Sequence, residues 1–302
     1  MIIEKGKYKD VFALRLSTRL NVATVLPNEG GKIASFIDRE GKREYLLQNP
    51  SKTFLHLGKD DDYASRECCG FDDMFPTIDQ VTVKTESGDE LIYPDHGEVA
   101  RSSYEWEISG QTLILRYNST SFGYEFVKIL SEDGDGKLVV DYKITNKNAF
   151  DLDAMWTAHC LINAEKGAIV ETAFSDGDPV DVMFDFTKEL APGRRAFTSK
   201  HFYSDWGNTP ILKKFYFPEK GENGILSYRY KSGDKFVMEF DKDKVPCVGV
   251  WINYGFFNQS YCVGFEPSTA GYDTVVNARK YGKNCVIKSK ETLEFRIKIY
   301  SN

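Results

Sequence analysis

Residues 104–144, YEWEISGQTLILRYNSTSFGYEFVKILSEDGDGKLVVDYKI, decide the fold class. Apolar and polar side chains alternate through Tyr104–Ile108, Thr112–Tyr117, Tyr124–Leu130 and Lys137–Ile144. A strand with one buried face shows this period of two. Ser109-Gly110-Gln111 and Glu132-Asp133-Gly134-Asp135-Gly136 separate successive runs and read as hairpin turns. Outward from this block the pattern recurs at Leu20–Leu26, Ile225–Tyr230, Lys235–Phe240 and Thr292–Tyr300, with Ser232-Gly233-Asp234 turning between two of them. Aromatic residues reach 14%, which suits half-buried pleated strands. No long helical patterns alternate with these runs, which argues against a doubly wound α/β fold. The expected architecture is all-β: one large antiparallel β-sandwich spanning 1–302. Cys68–Met74 is the segment expected to form a short helical turn.

Composition narrows the function classes. The net charge is −6, which argues against a nucleic-acid or anionic-membrane partner, since those are met by a basic face. No stretch approaches the ~18 apolar residues of a membrane-spanning helix. Met1–Lys9 lacks the apolar segment of a secretory signal, and six cysteines without a Cys-x-x-Cys pair read as reduced thiols. A cytoplasmic location is the expectation. Asp133-Gly134-Asp135-Gly136 resembles part of a calcium loop, but the remaining ligand positions do not follow, and a turn explains it better. No phosphate-binding loop, dinucleotide fingerprint or Gly-x-Ser-x-Gly nucleophile elbow is present.

The chain has four histidines. His96 lies in Tyr93-Pro94-Asp95-His96-Gly97, a loop setting. His159 lies in Met155-Trp156-Thr157-Ala158-His159-Cys160-Leu161-Ile162-Asn163, where a satisfied core histidine is the plain alternative. Cys160 cannot form a dyad with it, because neighbours on a strand face opposite ways. Glu266 ends the apolar run Val263-Gly264-Phe265-Glu266-Pro267, and acids are seldom buried without a partner or a task.

Several segments, taken in order, resemble the aldose 1-epimerase (galactose mutarotase-like) superfamily. Pro27-Asn28-Glu29-Gly30-Gly31-Lys32-Ile33-Ala34-Ser35-Phe36 resembles its opening glycine turn and strand. Gly70-Phe71-Asp72-Asp73-Met74-Phe75-Pro76-Thr77-Ile78 is similar to a segment of divergent members. Asp95-His96-Gly97-Glu98-Val99-Ala100-Arg101 resembles the His-Gly segment. Ala158-His159 with Asn163 resembles the segment of the acid histidine, and Trp251-Ile252-Asn253 followed by Gly264-Phe265-Glu266-Pro267 that of the base.

The resemblance implies a large β-sandwich that interconverts sugar anomers. Glu266 would take the proton of the C1 hydroxyl, His159 would protonate the ring oxygen, and His96 would position the sugar. No metal or organic cofactor is implied. The implied partner is a small sugar, a free aldose or a phosphorylated one. A non-catalytic carbohydrate-binding protein on the same fold is the alternative outside enzymes, and a glycosidase is disfavoured because the partner of Glu266 is a histidine. The chain departs from better-known members at Leu161-Ile162, where an aromatic residue is usual. It also lacks a glycine-rich, arginine-bearing segment, for which Arg66 is the nearest stand-in. Arg101 suits sugar hydroxyls, a phosphate or a structural salt bridge. Asp72 and Asp73 suit hydroxyls, or one of them caps a turn before Met74. Trp156 and Trp251 suit stacking on a sugar or a place in the core, Trp251 being the better stacking candidate. Tyr203, Asp205 and Trp206 form an aromatic and polar loop that could line the same site.

Overall fold

The computed structural model describes residues 1–85, 88 and 90–302. Two antiparallel sheets form the body. The larger has eleven strands in the order Ile2–Tyr8, Val11–Ser17, Asn21–Leu26, Lys32–Asp38, Phe71–Met74, Thr157–Asn163, Tyr261–Ser268, Cys247–Tyr254, Ile211–Phe217, Pro179–Asp185, Gly193–Ala196. The smaller has eight: Ile169–Glu171, Ile225–Arg229, Lys235–Phe240, Thr292–Ser301, Leu138–Asn146, Tyr124–Glu132, Thr112–Ser119, Glu105–Ser109. Among the described residues the single α-helix is Val275–Lys280, capped by Thr274, and no helix is long and apolar enough to cross a membrane. This is the β-sandwich architecture of galactose mutarotase-like proteins.

Alternation explains why the sheets pack. Phe36 of the large sheet meets Phe236 of the small sheet edge-on at 5.7 Å, and Trp156 packs on Tyr142 and Phe295 at 4.9 and 4.6 Å. Such offset and edge-to-face contacts suit the charge distribution of aromatic rings. The turns fall where glycine and aspartate place them. Ser109 pairs with Thr112 across Gly110, whose φ of 60° favours glycine, and Asp133 accepts the amides of Asp135 and Lys137 in the next hairpin.

The expectation for Cys68–Met74 was wrong. Phe71–Met74 is a strand in the middle of the large sheet, paired through Asp72 with His159 and through Asp73 with Ala158. The nearest helical turn is Tyr63–Ser65. Neither aspartate is a cap. Adjacent strand residues face opposite ways, so the two side chains part company. Asp73 points into the core, where Lys128 Nζ lies 2.9 Å from Oδ2 and Trp156 Nε1 donates to Oδ1 at 2.9 Å. Lys128 and Asp73 are fully buried, and this pair ties the two sheets together. Asp72 points to the other face of the large sheet and pairs with Lys32.

Candidate active site

The face of the large sheet turned away from the small sheet carries the candidate site. Register places its members side by side. Glu266 lies opposite Gly249, Trp251 opposite Gly264, and Lys214 opposite Trp251. Their strand neighbours Phe265, Val250 and Phe215 belong to the core between the sheets. The two glycines make room. A Cβ on Gly249 would stand 3.0 Å from Glu266 Oε2 and 2.8 Å from the Tyr216 ring. One on Gly264 would stand 3.2 Å from Trp251 Cβ.

His96 reaches the same place from a turn. Its φ is 55° and that of Gly97 is 68°, both left-handed, and a Cβ on Gly97 would lie 2.3 Å from the Phe75 carbonyl oxygen. A non-glycine residue in this conformation stores strain of order 1–2 kcal/mol. Three contacts hold it: the His96 amide donates to the Ile78 carbonyl, Glu98 N to Phe75 O, and Gly97 N to Pro94 O. The His96 ring stacks on Tyr63 at 4.2 Å, and Nδ1 lies 2.8 Å from Asp95 Oδ2. His159 stands edge-on to both rings, 5.4 Å from each.

His96, His159 and Glu266 therefore line one cavity of about 270 Å³. Trp251, Phe184, Leu47 and Leu161 give it an apolar wall, and Lys214, Asp273 and Asp79 complete the polar one. Lys214 Nζ lies 3.1 Å from Glu266 Oε2 and 2.5 Å from Asp273 Oδ1, and Tyr216 donates to the same Asp273 oxygen at 2.7 Å. The approach of Lys214 to Glu266 lacks hydrogen-bond alignment, so Oε2 is buried without a hydrogen-bond partner among the described residues. A buried carboxylate oxygen with an unused lone pair is a place for a ligand hydroxyl.

Burial sets the electrostatics. It pushes the Glu266 carboxyl up from its ordinary value; Lys214 opposes the shift and Asp273 adds to it. It pushes the His159 imidazole well below its ordinary value, with His96, Lys214 and Lys32 contributing in the same direction. Lys214 would be lowered by burial, but Asp273 and Glu266 outweigh that and hold it charged above its usual range. Asp79 is raised by burial and by the neighbouring Asp273.

The hydroxyl of Tyr63 lies between Asp72 Oδ2 at 2.6 Å and His159 Nδ1 at 3.3 Å. Its one proton goes to the nearer, anionic acceptor, which leaves the phenol oxygen to accept from His159 Nδ1–H. Neutral His159 then carries its free lone pair on Nε2. Lys32 closes this chain behind Asp72, hydrogen-bonded also to the carbonyls of Glu67 and Cys69.

Several residues singled out from sequence lie elsewhere. Arg101 spends its guanidinium on the carbonyls of Gly58, Lys59, Asp61, Asp95 and Gly97, tying two loops together. Arg66 pairs with Asp61 at 2.6 Å, and neither arginine lines the cavity. Asp73 is a core residue; Asp72 acts behind Tyr63 and His159. Tyr203 and Asp205 line a separate polar cavity with Lys213 and His201, and Trp206 packs on Tyr254 and Tyr261. Trp156 is wholly core. Sequence reasoning missed Lys214, Asp273, Asp79 and Tyr63. Lys213-Lys214 inside the apolar run Ile211–Phe217 was a readable signal, as charges there need partners. Asp273 sits in an irregular segment and Tyr63 in a three-residue helical turn, too short for a periodic signal.

No family model matches the sequence, and no curated protein matches it either. Solved structures do. A galactose mutarotase-like protein of Clostridium acetobutylicum superposes with a TM-score of 0.71 at 16% identity, covering 100% of this chain and 98% of that one. An Escherichia coli protein proposed to be an aldose 1-epimerase gives 0.68 at 15%, covering 95% and 98%. A galactose mutarotase-like protein of Lactobacillus casei gives 0.64 at 13%, covering 96% and 100%. Identities this low establish a shared fold. The fold they share with this chain is that of galactose mutarotase-like proteins.

Proposed function

We propose that this chain is an aldose 1-epimerase-type isomerase that interconverts the anomers of a free sugar by opening and reclosing its hemiacetal ring. The supporting observation is the convergence of Glu266, His159 and His96 on one cavity that Trp251 and apolar side chains also line. A pyranose has the matching shape: an edge of hydroxyls and flat C–H faces.

The pair Glu266–His159 needs one proton between its members. With the proton on His159, ionised Glu266 takes the C1 hydroxyl proton and His159 Nε2 gives one to the ring oxygen. The C1–O5 bond breaks, and the open-chain aldehyde then faces protonated Glu266 and neutral His159. Rotation about C1–C2 and reversal of the transfers give the other anomer. Burial favours protonated Glu266 and neutral His159, the states that accompany the open chain. His96, fixed by Tyr63 and Asp95, positions the ring. No step calls for a cofactor. A phosphorylated hexose fits less well: among the described lining residues Lys214 is the one lysine or arginine, and Asp273 and Glu266 already engage it.

Anomer equilibration followed by polarimetry or NMR over free and phosphorylated aldoses tests the reading. Glu266→Gln should lower turnover roughly 10²-fold or more and sugar affinity only about tenfold. A wild type that binds an aldose without accelerating its anomerisation is a binding protein instead, and an unimpaired Glu266→Gln enzyme removes Glu266 from the mechanism.

A further inference from the structure

One feature of the cavity mouth exceeds what a single sugar ring needs. Phe257 packs against Trp251 at 6.1 Å, Phe256 against Phe257 at 5.4 Å, Phe186 against Phe256 at 5.1 Å and Phe184 against Phe186 at 5.5 Å. Trp251, Phe257 and Phe184 line the cavity; Phe256 and Phe186 lie beyond it and are 43% and 53% exposed. The result is an aromatic arc that leaves the cavity and returns to it.

Buried polar side chains fix both turns that carry the arc. Asn253, with no exposed surface, accepts from the amides of Phe256 and Phe257 at 3.1 and 2.9 Å and donates to the carbonyls of Phe257 and Ser260. Asn258 ties the same turn to the Ala64 carbonyl at 2.9 Å, beside Tyr63. Asp185 accepts from the Thr187 amide and hydroxyl and from the Leu190 amide, which sets the turn that displays Phe186. Exposing Phe186, Phe256 and Phe257 on these pinned turns costs hydrophobic free energy and is a preorganised contact surface.

We propose that Phe186 and Phe256 form a second subsite, which stacks on the next ring of an oligosaccharide whose reducing-end ring occupies the cavity. This deepens, and depends on, the reading of the cavity as a sugar site. The anomeric carbon of the cavity ring must stay free, so the neighbour attaches through another hydroxyl and lies outside the catalytic groups. A sugar's C–H face is apolar and flat, the complement of an aromatic ring. The size fits too. With Phe257, the three exposed rings of the arc offer roughly 280 Å² between them, taking ~200 Å² for a whole phenylalanine side chain, whereas a stable protein contact needs ~800 Å² per partner. A protein partner is thus the poorer occupant.

The test measures anomerisation rates and, by calorimetry, affinities for glucose and galactose against maltose, cellobiose and lactose, in wild type and in Phe186→Ala and Phe256→Ala. At least one disaccharide should be preferred to its monosaccharide by about tenfold in kcat/KM or Kd, and each variant should remove most of that preference while leaving monosaccharide turnover within about twofold. Equal handling of monosaccharides and disaccharides by an active wild type overturns the subsite and leaves the isomerase reading intact. Tighter disaccharide binding that the variants abolish, without any anomerisation, keeps the subsite and overturns the isomerase reading. A dimer in size-exclusion chromatography that either variant dissociates assigns the arc to self-association and overturns the subsite.

Discussion

Lys214 Nζ stands 3.1 Å from Glu266 Oε2 with both groups buried, so one lysine biases the proton affinity of the proposed base and, through its charge, of His159 as well. It lowers Glu266 by favouring the carboxylate and lowers His159 by disfavouring the imidazolium.

Replacing Lys214 with the isosteric methionine should therefore move the whole pH profile in one direction. Loss of the cation raises the carboxyl and raises the imidazole. Both limbs of the bell-shaped kcat/KM profile should shift to higher pH in Lys214→Met. Limbs that stay in place would separate Lys214 from the proton economy of the site.

Gly249→Ala probes the fit of Glu266. The new methyl group meets Glu266 Oε2 at 3.0 Å and the Tyr216 ring at 2.8 Å, and one of them must yield. Circular dichroism should show a folded protein, while kcat/KM falls up to ~10²-fold from a displaced carboxylate. Wild-type activity in this variant would show that Glu266 has slack.

Lys128→Met should cost about 3–5 kcal/mol in denaturant unfolding, because it strands the buried Asp73 carboxylate between the sheets. Lys128→Met with Asp73→Asn should recover much of that loss, since Trp156 Nε1 keeps an acceptor. A double variant no more stable than Lys128→Met would deny the pair its role.

Acid stability should depend on Glu171. Burial alone would raise its carboxyl, but Arg229, Lys235 and Ser227 outweigh that and lower it to about 2. A depressed carboxyl stabilises the fold above its unfolded value near 4.5 and loses that contribution as pH falls toward 2. Glu171→Gln should lower Tm at neutral pH and flatten the fall of Tm across that interval. The same slope in both proteins would count against it.

Much of the fold was legible because its signals are local. The period of two located the hairpins of the small sheet to within two residues, and glycine or aspartate marked their turns. Cys68–Met74 failed because all four residues of Phe71–Met74 are buried, so alternation vanishes when both faces are covered. For the site, resemblance brought His96, His159 and Glu266 together. Lys214, Asp273 and Tyr63 reach the cavity from strands and loops whose neighbours are set by topology alone. Arg101 looked like a binding residue because nothing in a sequence distinguishes a guanidinium aimed at a ligand from one folded onto five carbonyls.

The adjacent aspartates Asp72 and Asp73 give the chain a peculiar indivisibility. One carboxylate secures the cation that staples the layers, and the next steadies the phenol behind the His159 imidazole. A slip of the strand by a single position would exchange these duties, presenting the staple to the cavity and the steadying group to the core. Insertions or deletions here are thus barred on two counts at once. Under the proposed sugar reading, changes of preference fall to the turns around the mouth, where length and side chains can vary without disturbing that central strand.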